Sequence, residues 1–129
     1  LGQEALGVER FRPNLLLGGL QAHDEDRLAE LRFSVAASAG VGTASATSGE
    51  NGVARLQPVK PCARCPIPDI DPATAQSGSM VRETLQSYRQ DRRLLGAITF
   101  GMNAIVREGA GGLLSEGQAG QGRWDAWEA

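Results

Sequence analysis

Ala97 to Arg107 reads AITFGMNAIVR, with β-branched or aromatic residues at Ile98, Thr99, Phe100, Ile105 and Val106. Such side chains suit a pleated, half-buried surface, so the stretch predicts a strand. Gly101 in its middle marks a bulge or a close approach to the backbone. Upstream, Val81, Leu85 and Tyr88 recur at i, i+4 and i+7, with Arg82, Glu83, Gln86, Arg89 and Gln90 between them. That period predicts one amphipathic helix over roughly Met80 to Arg93, closed near Gly96.

Further from this pair the chain is strand-like and heavily punctuated. Leu31-Arg32-Phe33-Ser34-Val35 alternates apolar and polar residues, and Val53 to Val59 (VARLQPV) resumes the pattern, with Pro58 expected at a strand edge or end. Arg12 to Leu17 (RPNLLL) ends in Gly18-Gly19 and predicts a short strand and a tight turn. The acidic Asp24-Glu25-Asp26 complements a helical N-terminus, so one helical turn fits there. Residues 36–52, almost wholly Ala, Gly, Ser and Thr, have no large side chain to bury and predict a flexible insertion. Lys60 to Pro72 (KPCARCPIPDIDP) holds four of the six prolines and predicts a stiff loop. Residues 108–129 are glycine-rich and predict one more short strand in a partly ordered tail. The fold class is therefore mainly β with a minor α+β component, and residues 1–129 read as a single domain. The chain starts at Leu1 without an initiator Met, so it is expected to be a piece of a longer protein.

Composition narrows the chemistry. Thirteen Lys and Arg against fifteen Asp and Glu leave no basic excess for a nucleic-acid binder. No apolar run approaches the ~18 residues of a membrane span, and no secretory leader opens the chain, so a cytoplasmic protein is expected. One histidine, His23, excludes sites that need two imidazoles. His23-Asp24 has no Gly-x-Ser-x-Gly nucleophile to serve, and the glycines match no phosphate-binding loop. Asp69 and Asp71, two apart in a proline-rich loop, read as turn residues, Asp71 directly before Pro72, rather than as a carboxylate pair, and Arg89, Arg92 and Arg93 read as a solvated helix face.

Two features remain. Cys62 and Cys65 form a C-x-x-C pair flanked by Lys60 and Arg64, whose charges would stabilise a thiolate. Pro66 follows at once and no helix opens nearby, so the helix-dipole device of a redox dithiol is lacking. The pair stays open between inert thiols in a turn and a functional thiolate. Arg12 and Asn14, on alternate positions of an extended segment, would share one face; Arg suits phosphate and Asn a heterocycle edge, although from these residues alone an edge salt bridge and a turn-capping amide are the better account.

In order, F-R-P-N (Phe11 to Asn14), Glu25-Asp26, V-K-P-C-A-R-C (Val59 to Cys65), I-D-P-A-T (Ile70 to Thr74), T-L-x-S-Y-R (Thr84 to Arg89) and F-G-x-N (Phe100 to Asn103) resemble the C-terminal part of the MOSC domain. That domain occurs in molybdenum cofactor sulfurase and in amidoxime-reducing proteins, and the resemblance spans about Phe11 to Val106. It implies a barrel-like β fold that binds the molybdenum cofactor (molybdopterin). It implies Cys65 as the protein thiolate on molybdenum, and therefore as the catalytic residue, and does not imply a ligand role for Cys62. Arg12 and Asn14 match cofactor-contacting positions, Arg12 toward the pterin phosphate, and Asn103 matches a position lining the same pocket. The implied activity is reduction of N-hydroxylated small molecules, fed by an electron-transfer protein. A sulfur or cofactor carrier related to the sulfurase, with a persulfide on Cys65, and a non-catalytic structural β-domain are the alternatives.

The chain departs from the pattern at residues 36–52, at Pro68-Asp69 where Thr-Thr is common, and at Glu116 to Ala119 where a G-D-x-V strand is usual. Relatives also carry an N-terminal β-barrel domain that supplies part of the pocket. Without that partner the chain is expected to hold the cofactor weakly or not at all.

Overall fold

The computed structural model describes residues 6–35 and 52–126. It contains five strands, β1 (Leu28–Val35), β2 (Gly52–Ala63), β3 (Gln90–Asp91), β4 (Ala97–Glu108) and β5 (Gly120–Trp124), and one α-helix, α1 (Met80–Gln86). The strands form one open sheet in the order β3-β4-β2-β1-β5. The chain is thus mainly β, as its sequence predicts. It divides into two compact units, one made of residues 1–23 and 61–101, the other of 24–60 and 102–129. β2 and β4 each contribute to both.

In the second unit β1 pairs antiparallel with β2, Leu31 facing Leu56 and Val35 facing Gly52, and with β5 on its other side. The buried residues here are Leu28, Val35 and Ala54. Gly109 and Gly120 of the C-terminal stretch are packing requirements. A Cβ on Gly120 would land on the Phe33 ring, and one on Gly109 would lie 2.5 Å from the Val53 carbonyl. Trp124 closes the edge strand beneath the Arg27 guanidinium, 5.2 Å from its ring centroid, and the Asp125 N–H donates to the Arg27 carbonyl at 2.8 Å. The helical turn expected at the acidic cluster forms as a 3-10 turn, Asp24–Arg27.

In the first unit α1 buries Val81 and Leu85 of the predicted stripe, whereas its third member, Tyr88, lies past the helix and is exposed. The helix stops at Gln86, short of the predicted Arg93. Its next residues are claimed by β4: the Arg89 carbonyl accepts from the Thr99 N–H at 2.9 Å, and the Arg89 Nε donates to the Thr99 carbonyl at 3.0 Å. Arg93 pairs with Asp91 instead of lining a helix face. The start of α1 is held from outside the helix, since the buried Asp69 carboxylate accepts from the Arg82 N–H at 2.9 Å.

Four further expectations are corrected. No strand forms over Arg12 to Leu17: a 3-10 turn at Val8–Phe11 ends on Arg12 in the left-handed region, φ 50°, with the Arg12 N–H bound to the Glu9 carbonyl. Arg12 and Asn14 therefore share no strand face. The loop expected from Lys60 begins only after Ala63, because β2 continues that far. Pro58 lies inside β2, not at its end; the pairing with β1 stops at Leu56, so no β1 bond needs the N–H that proline lacks. Gly52, placed in the insertion by composition, starts β2; the rest of that segment, 36–51, lies outside the described residues.

Candidate functional site

Cys65 owes its position to the end of β2. The antiparallel pairing runs one residue past the strand, with the Arg64 N–H donating to the Ile98 carbonyl at 2.8 Å. The chain then turns through Pro66 into a 3-10 turn, Ile67–Asp69. Cys65 is exposed and free, and Cys62, within β2, is half-buried and free. Along an extended chain, residues three apart point to opposite faces and stand about 10 Å apart. A disulfide requires Cα atoms within about 7 Å. The two thiols therefore act separately, and a redox dithiol finds no support.

Between them Arg64 gathers three segments. Its Nε donates to the Phe100 carbonyl at 2.8 Å and its Nη1 to the Phe11 carbonyl at 3.0 Å. Its guanidinium also lies over the Phe11 ring, 5.5 Å from the centroid. Phe11 stacks on Phe100 at 4.2 Å. Gly101 has φ +76°, and a Cβ there would meet the Arg64 Nη2 at 3.4 Å. Where the sequence predicts a bulge or a close approach, the backbone thus lies beside a guanidinium, and its positive φ is what calls for glycine. Phe11 of F-R-P-N and Phe100 of F-G-x-N are thus held by one side chain of C-A-R-C, which from sequence alone reads as the neighbour of a thiolate.

The remaining candidates fall at different distances from this node. Arg12 follows Phe11 directly, and Arg12 and Asn14 are exposed. Lys60 is exposed on β2. Asn103 is exposed on β4 and belongs to the second unit, whereas Arg12, Asn14 and Cys65 belong to the first. Asp71 is the turn residue expected, its Oδ1 accepting from the Ala73 N–H at 2.8 Å; Asp69 is not, being buried and capping α1. His23 packs edge-on to Tyr88 and Phe100, each 5.6 Å away, and its Nδ1 is buried without a hydrogen-bond partner. Sequence reasoning missed Arg10, whose Nη1 donates to the Pro68 carbonyl at 3.2 Å and steadies the turn after Cys65.

Beside the thiol lies a small hollow of about 70 Å³. Arg64, Cys65, Asp69 and Arg82 line it with Pro66, Pro68, Val81, Leu85 and Ile98. Among the described residues, no group of three or more His, Cys, Asp and Glu side chains is placed to hold a metal ion. No helix among them is long and apolar enough to cross a membrane.

A protein-family model described as the MOSC domain matches residues 1–119. No curated protein and no solved structure shows a significant match to the chain.

Proposed function

The chain belongs to the MOSC domain family, and from that membership we propose that it is a molybdenum-cofactor-binding domain whose protein ligand to the metal is Cys65. The family is associated with that cofactor, and the donor set here suits it. A bare ion would need several protein ligands, whereas a metal already held by a dithiolene asks for one soft thiolate. One exposed free thiol is what the turn after β2 offers. The observation that carries the reading is the Arg64 node, which draws the F-R-P-N and F-G-x-N stretches to the residue next to Cys65.

When bound, the cofactor supplies two-electron oxygen-atom removal, here from N-hydroxylated small molecules. The chain's own residues bind and orient. Cys65 ligates, Arg64 holds the turn that presents it, and Arg12 and Asn14 serve the pterin and its phosphate. Asn103 enters this reading through the family match alone. A separate electron-transfer protein and an N-terminal β-barrel domain of the same parent chain are the partners this reading requires.

The test compares Cys65→Ser with Cys62→Ser in the full-length protein from a cofactor-producing host. Cys65→Ser is expected to lower both bound molybdenum and reduction of an N-hydroxylated substrate at least about tenfold, the scale for disrupting a metal's protein shell. Cys62→Ser is expected to change neither. Equal tolerance at both positions overturns the proposal.

A further inference from the structure

One face of the sheet in the second unit gathers arginines. Residues directly opposite in an antiparallel pair lie on one face, as do alternate residues of a strand. Arg32 of β1 stands opposite Arg55 of β2, and Glu30 stands opposite Arg123 of β5. Arg107 of β4 reaches the same face, its Nε donating at 2.6 Å to the Oε1 of Gln57, two residues from Arg55. All four arginines belong to the second unit. Like charges directly across a strand pair are destabilising, so the Arg32–Arg55 pair works against the sheet. Among the described residues two carboxylates meet the four guanidinium groups. Glu30 lies 2.5 Å from the Arg32 Nε and 3.4 Å from the Arg55 Nε, and Glu108 lies 3.8 Å from the Arg55 Nη1. Arg107 gives its Nε bond to a neutral amide. Four positive groups against two negative ones leave this face basic on a chain whose net charge is −2. Apolar side chains share the face at alternate positions, Val53 and Val59 on β2 and Ile105 on β4, and they are 42%, 47% and 40% exposed.

We propose that this face docks a protein partner that presents Asp and Glu side chains around aliphatic ones. Arg32, Arg107 and Arg123, all exposed, take its carboxylates, and Val53, Val59 and Ile105 take its apolar side chains. Guanidinium groups suit this, since each offers a planar fork to a carboxylate and arginine is favoured over lysine in protein interfaces. A nucleic acid fits less well. The chain as a whole is acidic, and the aromatic rings of β1 and β5, Phe33 and Trp124, follow Arg32 and Arg123 directly and so fall on the other face, where they cannot stack a base here. The proposal needs neither the cofactor nor Cys65, so it stands or falls apart from the molybdenum reading.

The probe is a fluorescein-labelled peptide of repeated Glu-Glu-Leu, whose anisotropy is followed as the chain is added. It is expected to bind with a dissociation constant at or below about 1 mM, and a Lys-Lys-Leu peptide is not. Arg32→Gln together with Arg123→Gln is expected to weaken binding about tenfold, two exposed charge pairs at a few-fold each. Arg92→Gln, at an exposed arginine of the first unit, is expected to change it by less than about twofold. Salt near 1 M, where screening reaches to about 3 Å, is expected to weaken binding as strongly as the double substitution. A Glu-Glu-Ser peptide is expected to bind at least about threefold more weakly, for want of leucines to bury. No binding of the acidic peptide, or no preference for it over the basic one, overturns the proposal without recourse to any variant. Stronger binding to oligothymidylate of matched charge, or to phosphatidylserine vesicles, makes the partner a nucleic acid or a membrane and also overturns it. A loss as large with Arg92→Gln overturns the assignment to this face, and equal binding of Glu-Glu-Ser overturns the role of Val53, Val59 and Ile105.

Discussion

Arg64 shows how a single side chain can do the work of a small core. Its two hydrogen bonds reach carbonyls 36 and 53 residues away in the chain. Lysine donates from a single point and has no planar fork, so it does not reproduce the two separate nitrogens that reach Phe100 and Phe11. Arg64→Lys is therefore expected to cost about 1–3 kcal/mol, the penalty for leaving a partly buried carbonyl unpaired. Urea unfolding reads this directly, and an unchanged midpoint would show that the node is not structural. The sequence made Cys65 and Gly101 visible because a thiol and a mid-strand glycine are marked by residue type. It hid Arg64's role because main-chain carbonyls leave no trace in a residue pattern. For the same reason Arg64 reads from sequence as a thiolate's neighbour rather than as a clamp on two distant segments.

Elements in this chain begin and end where polar groups find partners, which an apolar period does not report. The stripe Val81, Leu85, Tyr88 predicts a helix through Arg93, yet the Arg89 backbone is paired with Thr99 and the helix stops earlier. The 3-10 turn that follows, Arg92–Leu94, is capped by Asp91, whose Oδ1 accepts from the Arg93 N–H at 2.8 Å. The Arg93 side chain first, and then its N–H, hold the Asp91 carboxyl below its ordinary 3.8. Glu30 is likewise held below 4.5, first by its hydrogen bond from Arg32. Both carboxylates favour the folded state when ionised. Their contribution is complete above those ordinary values and is lost as pH falls through and below them. The urea midpoint is expected to be flat from neutral pH down to about 5 and to drop below it. Asp91→Asn should lower the neutral-pH midpoint and flatten the acid limb; an unaltered slope would remove Asp91 from that account.

At the scale of the whole molecule the chain is interleaved, passing between its two units at residues 23–24, 60–61 and 101–102. Among the described residues the buried apolar side chains are few: Leu28, Val35 and Ala54 in one unit, Pro68, Val81 and Leu85 in the other. Strand alternation in the sequence finds much of this, and the C-terminal strand is where it is weakest. There Gly120 replaces the side chains that would announce a strand, because the Phe33 ring occupies their space. The register also says what the chain can do without. Val35 and Gly52 stand opposite each other at the end of the β1–β2 pair, so a two-residue Asn-Gly turn can join them in place of residues 36–51. The shortened chain is expected to fold and to gain up to about 2 kcal/mol from the smaller loop. Loss of the cooperative urea transition would mean that the segment is needed for folding.

The aromatic residues are divided between the two units. The lone tyrosine, Tyr88, lies in the first, packed against His23. Trp124 belongs to the second and is tucked under Arg27. The molecule therefore carries two built-in optical reporters of separate colour. Tryptophan emission follows the fate of the edge strand, and the tyrosine signal follows the Cys65-bearing unit, so one unlabelled sample reveals whether the two units melt together or in turn.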